Sequence, residues 1–220
     1  MDVEKIINNL NQHKSEIIEI LSMENWQHFR NYFKIREKFL KNTLDEEFKR
    51  TFCRFYIING PAGLNNKQKE KFFKLLSLKE TNLEKILKAL YEISGYGTRK
   101  KLFISFGTKL LHTVNEKLPI YDKNISSVLE LSTPVYVGSL EERIKNRLDI
   151  YEELMQDFKT LLVNDKIIEY LKNIRKELQS KSKLDQFRCI SDAKLLDSLL
   201  WAFYSILKLQ NTSKQADNVK

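Results

Sequence analysis

The stretch ISGYGTRKKLFISFGTKLLHTVNEKLPIYDKNI, residues 93–125, reads as helix, Gly-Tyr-Gly turn, helix, Pro-containing turn, Asp and helix. Its central part, 98–115, is helical in pattern, with Leu102, Phe103, Phe106, Leu110 and Val114 on one stripe at 100° per residue. On that projection Lys101 points almost directly away from the stripe, and Lys109 lies on its edge beside Ser105 and His112. Glycines at so tight a turn let two helices meet closely and leave backbone N–H groups to face a phosphate. Thr98, Arg99, Lys100 and Lys101 stand beside them. The alternative for Gly95 is an ordinary C-terminal helix cap, which spacing alone favours.

The pattern outside this stretch is helical throughout. Val3–Leu21 and 24–40 carry apolar residues at three-to-four spacing, with Trp26 expected in the core. A helix over Asp45–Ile58 ends at Asn59-Gly60-Pro61. Asn65 or Asn66 is placed to cap the next helix, which runs to about Leu76, and Thr81 or Asn82 the one after it, which reaches Ser94. Later helices are expected from near Lys123, over Leu140–Leu162, from Lys166 to about Leu178 and over Asp192–Leu209.

Six Gly and three Pro in 220 residues are too few for the turns of an all-β fold. The reading is therefore all-α: a single domain over 1–210, with a unit at about 82–131 carrying the hairpin, and a polar tail at 211–220. No run is long enough to span a bilayer, and Met1–Leu10 lacks the apolar core of a secretory signal. Cys53 and Cys189 follow apolar patterns rather than disulfide or zinc spacing, which implies a reducing, cytoplasmic setting. His13, His28 and His112 have no metal-ligand spacing, so no metal and no cofactor are expected.

The net charge is +9, and it is concentrated. Residues 64–123 hold 13 Lys or Arg against 6 Asp or Glu. A concentrated surplus of this kind is the footprint of a polyanion such as double-stranded DNA. Lys67, Lys69, Lys71 and Lys74 belong to it, either as a solvated face or as residues that steer DNA without specificity.

Lys109 and Asp122 carry the chemistry in this reading. A lysine partly withdrawn from water favours its neutral amine, which can attack a carbon electrophile and form a Schiff base. The alternative for Lys109 is an ammonium that snorkels to water. Asp122 either caps the following helix or sets its carboxylate against a developing cationic sugar, and the two roles are compatible. Trp201 and Tyr204, on an apolar C-terminal helix, either stack a base or pack into the core.

Gly95-Tyr96-Gly97-Thr98-Arg99-Lys100 resembles the glycine hairpin of helix-hairpin-helix DNA glycosylases, and Leu118-Pro119-Ile120-Tyr121-Asp122 resembles the turn that delivers their catalytic Asp. Ser105-Phe106-Gly107-Thr108-Lys109-Leu110-Leu111-His112 followed by Pro119-Ile120-Tyr121-Asp122 is similar to bacterial proteins of the 8-oxoguanine DNA glycosylase fold. Phe55-Tyr56, Asn59, Ala62-Gly63-Leu64, Leu196-Asp197 and Trp201 extend the likeness.

The resemblance implies two helical lobes with DNA across the cleft and a base rotated out of the duplex. It further implies that Lys109 displaces the base at the sugar carbon while Asp122 assists. Lys101 is the alternative nucleophile. Gly95, Gly97, Thr98, Arg99 and Lys100 would hold the DNA backbone, and His112, Trp201 and Tyr204 the base. Arg99 stands where the best-known members have a lysine, and Lys109 and Asp122 are closer in sequence than the corresponding pair there. The competing expectation is a non-catalytic DNA-binding or protein-interaction module on the same scaffold.

Overall fold

The structure, a computed structural model, describes residues 1–22, 27–60 and 62–217. Trp26, Pro61 and the end of the tail lie outside the described residues, as do the side chains of Gln27, Thr98 and 211–217. The described chain is all-α, with eleven α-helices and no strand among the described residues. By its contacts it divides into two compact units. The first comprises Met1–Trp26, Asp122–Ser132 and Glu153–Lys220, and the second Gln27–Tyr121 and Thr133–Glu152.

The first unit holds α1 (Val3–Gln12), α2 (Lys14–Ser22), α8 (Lys123–Leu129), α10 (Asp165–Ser182), α11 (Asp192–Asp217) and the second half of α9 (Leu140–Leu162). α11 packs on α8 and α2, and α10 packs on α2. Ile6, Ile7, Leu10, Ile17, Ile18 and Leu21 are buried, each contributing roughly 1.5–3 kcal/mol of hydrophobic stabilisation. The single helix expected over Val3–Leu21 is divided at His13, whose backbone leaves helical geometry (φ −102°, ψ 17°). The His13 ring there meets Glu16 Oε2 at 2.7 Å and the Phe203 ring at 5.6 Å, so local and tertiary partners settle at the break. Tyr170 donates to the Leu10 carbonyl at 2.9 Å and ties α10 to the end of α1. The C-terminal helix continues through Asp217, eight residues beyond the expected Leu209, so most of the expected tail is helical.

The second unit holds α3 (Gln27–Leu40), α4 (Glu46–Phe55), α5 (Asn66–Ser77), α6 (Leu83–Tyr91), α7 (Ile104–Val114) and the first half of α9. Its core is aromatic: Phe48, Phe52, Phe72 and Phe73 pack edge-on or tilted at 5.4–6.3 Å between centroids. Asp45 caps α4 and Asn82 caps α6. At α5, Asn65 and Gln68 form a reciprocal capping box. α6 and α7 meet closely at Gly107, where an added Cβ would lie 2.7 Å from Leu83 Cδ1.

Two boundaries near the decisive stretch differ from expectation. α6 stops at Tyr91 rather than Ser94, and α7 starts at Ile104 rather than Thr98. Between them lie a short 3-10 turn, Tyr96–Thr98, and extended backbone from Arg99, where φ is −77° and ψ is 134°. Lys101 therefore precedes the helix and sits on no helical face. The cause is a closed loop, in which the Gly95 N–H donates to the Arg99 carbonyl at 2.9 Å and holds the chain out of helical geometry until Phe103.

Candidate functional site

The Gly-Tyr-Gly loop is anchored from below by α5. Gln68, fully buried within the second unit, donates through Nε2 to the Ile93 carbonyl at 2.9 Å and the Leu90 carbonyl at 3.4 Å. Asn65 Nδ2 donates to the Ser94 carbonyl at 2.7 Å. The capping box of α5 thus satisfies the carbonyls that α6 leaves open where it ends. Gly97 supplies the left-handed residue of the turn (φ 64°), whereas Gly95 has φ −82° and lies beyond the helix end, so it is not the left-handed cap that spacing suggests.

Arg99, Lys100 and Lys101 are exposed at this loop. Lys100 Nζ lies 5.6 Å from the centre of the Tyr91 ring, and the Arg143 guanidinium lies 5.5 Å from the same ring while donating to the Tyr91 hydroxyl at 3.0 Å. One tyrosine thereby gathers a cation from the hairpin and one from α9 onto one surface. Nearby on the chain, the loop before α9 exposes Val135, Tyr136 and Val137, and buried Arg147 holds it by donating to the Val135 carbonyl.

Lys109 is buried in α7, with 9% of its surface exposed. Its Nζ donates to Ser105 Oγ at 3.0 Å, one helical turn back, and lies 5.3 Å from the Phe106 ring centre and 6.0 Å from that of Tyr56. The angular reading places Lys109 at the stripe's edge, and those two rings bring it inside. An amine among two aromatic rings and a hydroxyl is the kind of group that can attack a carbon electrophile once it is neutral.

His112, one turn further on, is 1% exposed. Its Nδ1 meets the Leu118 carbonyl at 2.7 Å, and because a carbonyl only accepts, that nitrogen carries the hydrogen. Nε2 meets the Tyr32 hydroxyl at 3.3 Å. The one hydrogen of that hydroxyl goes either to Nε2 or to Glu116 Oε2, also at 3.3 Å, and Glu116 pairs with Arg36 at 3.2 Å. Burial pushes the Tyr32 hydroxyl well above its usual range, with nearby Tyr56 and Glu116 adding to the effect. His112 is thus built into a buried polar chain that fixes the Pro-containing turn to α3.

Asp122 belongs to the first unit, where its Oδ1 accepts from the Asn124 N–H at 2.8 Å and caps α8. Trp201 and Tyr204 also belong to that unit, on α11, with Trp201 36% exposed and Tyr204 half-buried.

Sequence reasoning passes over two groups. Gln68 is marked by the Asn-x-x-Gln spacing of a capping box. Lys194, in α11, is 3% exposed and pairs at 2.5 Å with the 6% exposed Asp197. The signal there is a Lys and an Asp three apart among the apolar residues Ala193, Leu195, Leu196, Leu199 and Leu200.

Comparison with protein families, with curated proteins and with solved structures finds no match.

Proposed function

We propose that the chain is a DNA glycosylase of the helix-hairpin-helix type, excising an oxidised or modified base from double-stranded DNA with Lys109 as nucleophile. The observation that carries this reading is the burial of the Lys109 amine against Tyr56 and Phe106, with Ser105 as its hydrogen-bond partner. Lys109 Nζ would bond to the sugar C1′ as the C1′–base bond breaks and its electron pair leaves with the base. The departing base takes up one proton from Nζ, and O4′ takes up the other as the C1′–O4′ bond opens, giving a Schiff base, the entry to strand cleavage by a lyase step. Arg99 and Lys100, exposed beside the hairpin, support phosphate binding, and Lys101 is the alternative amine. Asp122 takes the role of assisting carboxylate from the sequence resemblance.

The second reading is a non-catalytic DNA-binding module, in which Asp122 caps α8 and has a structural role only.

Borohydride reduction during incubation with duplexes carrying 8-oxoguanine or another oxidised base tests the proposal. A covalent adduct that is lost in Lys109→Ala and kept in Lys101→Ala is expected. An adduct kept in Lys109→Ala and lost in Lys101→Ala moves the nucleophile. Salt-sensitive binding with no adduct and no base release supports the module instead.

A further inference from the structure

Within the second unit, α4 and α5 line a cleft of about 700 Å³. Lys49 and Arg50 enter it from α4, Lys69 and Lys74 from α5, and the amides of Asn59 and Asn66 share its wall. Its size lies within the range of small-molecule sites. Lys49 is paired with Glu46 at 2.6 Å. Arg50, Lys69 and Lys74 take part in no ion pair among the described residues, although Glu70 also lines the cleft. Half-buried Lys69 instead turns its Nζ to the Asn59 amide oxygen, at 3.4 Å. Like charges converging from two walls of one concavity repel each other and focus a positive potential that an anion would relieve. An arginine among them offers the paired donors that match a phosphate.

We propose that this cleft binds the phosphomonoester end of a nucleotide, either a free nucleoside phosphate or the 5′-phosphate of a nucleic-acid strand. Cations on both walls suit a compact group carrying two or more charges, whereas a continuous backbone carries one charge per residue along an open face. The site is separate from Lys109 and the hairpin, and it stands whether or not the chain excises bases.

Cys53 on the cleft lining is a built-in reporter. Its thiol is buried, and burial pushes its pKa upward while Lys69 pulls the other way. The other cysteine, Cys189, is exposed and is removed as Cys189→Ser for that measurement.

The test is calorimetric titration of the full chain with adenosine 5′-monophosphate and with a 5′-phosphorylated single strand, its 5′-hydroxyl counterpart serving as control. The Arg50→Ala/Lys69→Ala pair is expected to weaken binding about tenfold or more, since charged hydrogen bonds are lost. The Lys67→Ala/Lys71→Ala pair removes the same charge from α5 outside the cleft and is expected to change binding less than about twofold, as a screened surface effect. Saturating ligand should also slow alkylation of Cys53. Binding of the monophosphate identifies a free nucleotide as the source, and binding of the phosphorylated strand alone identifies a strand end. Saturation by neither probe, equal weakening in the two variant pairs, or Cys53 alkylation unchanged at saturation overturns the proposal.

Discussion

The Thr108 hydroxyl accepts a hydrogen bond of 3.0 Å from the Tyr121 backbone N–H, joining α7 to the Pro-containing turn across thirteen residues of chain. The same hydroxyl donates to the Ile104 carbonyl at 3.1 Å or the Ser105 carbonyl at 3.2 Å, and Thr108 and Tyr121 are both buried. Lys109 follows Thr108, so this hydroxyl fixes the backbone beside the proposed nucleophile. Thr108→Val keeps the shape and removes the acceptor, which leaves the Tyr121 N–H buried and unsatisfied. A loss of about 1–3 kcal/mol is expected in chemical denaturation. Thr108→Ser should recover most of it; a Val variant as stable as the parent removes the role assigned to this bond.

The hairpin's geometry is predicted to depend on Gln68 more than on its own glycines. Gln68→Leu fills similar volume but removes the donors to Leu90 and Ile93 and half of the α5 capping box. The expected cost is about 2–3 kcal/mol. Amide hydrogen exchange should rise over residues 93–101 ahead of the rest of the second unit. Uniform acceleration across that unit would show that Gln68 contributes to global stability without specially holding the loop.

Gly107 is argued from contact rather than conformation. A methyl there would lie 2.7 Å from Leu83 Cδ1 and 3.6 Å from Ile86 Cγ2. Gly107→Ala gains about 1 kcal/mol in helix propensity and loses about 1–3 kcal/mol to overpacking, so a small net destabilisation is expected. Leu83→Val should relieve the overlap. The double variant should therefore be less destabilised than the sum of the singles, and strict additivity in denaturation would show that the two helices do not meet at this point.

How far these features are legible in sequence depends on whether the cause is local. Capping at Asp45, Asn65, Asn82 and Asp122 follows from side chains within three residues of the backbone they satisfy, and α9 matches its expected span of Leu140–Leu162. The boundaries that move have partners elsewhere. α1 and α2 divide where His13 meets Phe203, and α7 starts late because the Arg99 carbonyl is taken by Gly95. Lys109 marks the limit most clearly, since its stripe-edge position is readable from periodicity while the ring that covers it from α4's end, Tyr56, is set by tertiary packing. The Lys69 and Arg50 cleft shows the same dependence, because the packing angle of two separate helices, α4 and α5, sets its walls and no periodicity within either reports it.

Alkaline stability follows from three buried phenols. Burial raises the pKa of Tyr32, Tyr151 and Tyr170 above the ordinary value of 10.0, with charged or polar neighbours adding to it for Tyr32 and Tyr170. A folded-state pKa above the unfolded one gives stability that is complete below pH 10 and is lost as the unfolded phenols ionise above it. Each should contribute a slope of about 1.4 kcal/mol per pH unit beyond that point. Tyr151→Phe should reduce the slope by one phenol's share in denaturation between pH 9 and pH 11. A slope identical to the parent's would place that hydroxyl in water.

The Lys194–Asp197 pair in α11 offers a final, sign-dependent prediction. Both side chains are almost wholly buried at 2.5 Å separation, so each charge was removed from water in exchange for the other. Lys194→Met leaves the Asp197 carboxylate buried without that cation, and a cost of about 3–5 kcal/mol is expected. Asp197→Leu should cost a similar amount for the converse reason. Replacing both together removes the desolvation penalty along with the attraction, and the double variant should recover most of the loss. Because both residues lie in the first unit and Lys109 in the second, the double variant should retain any borohydride-trapped adduct that Lys109 forms. Two single losses that simply add in the double variant would mean that the ion pair is not the source of either cost.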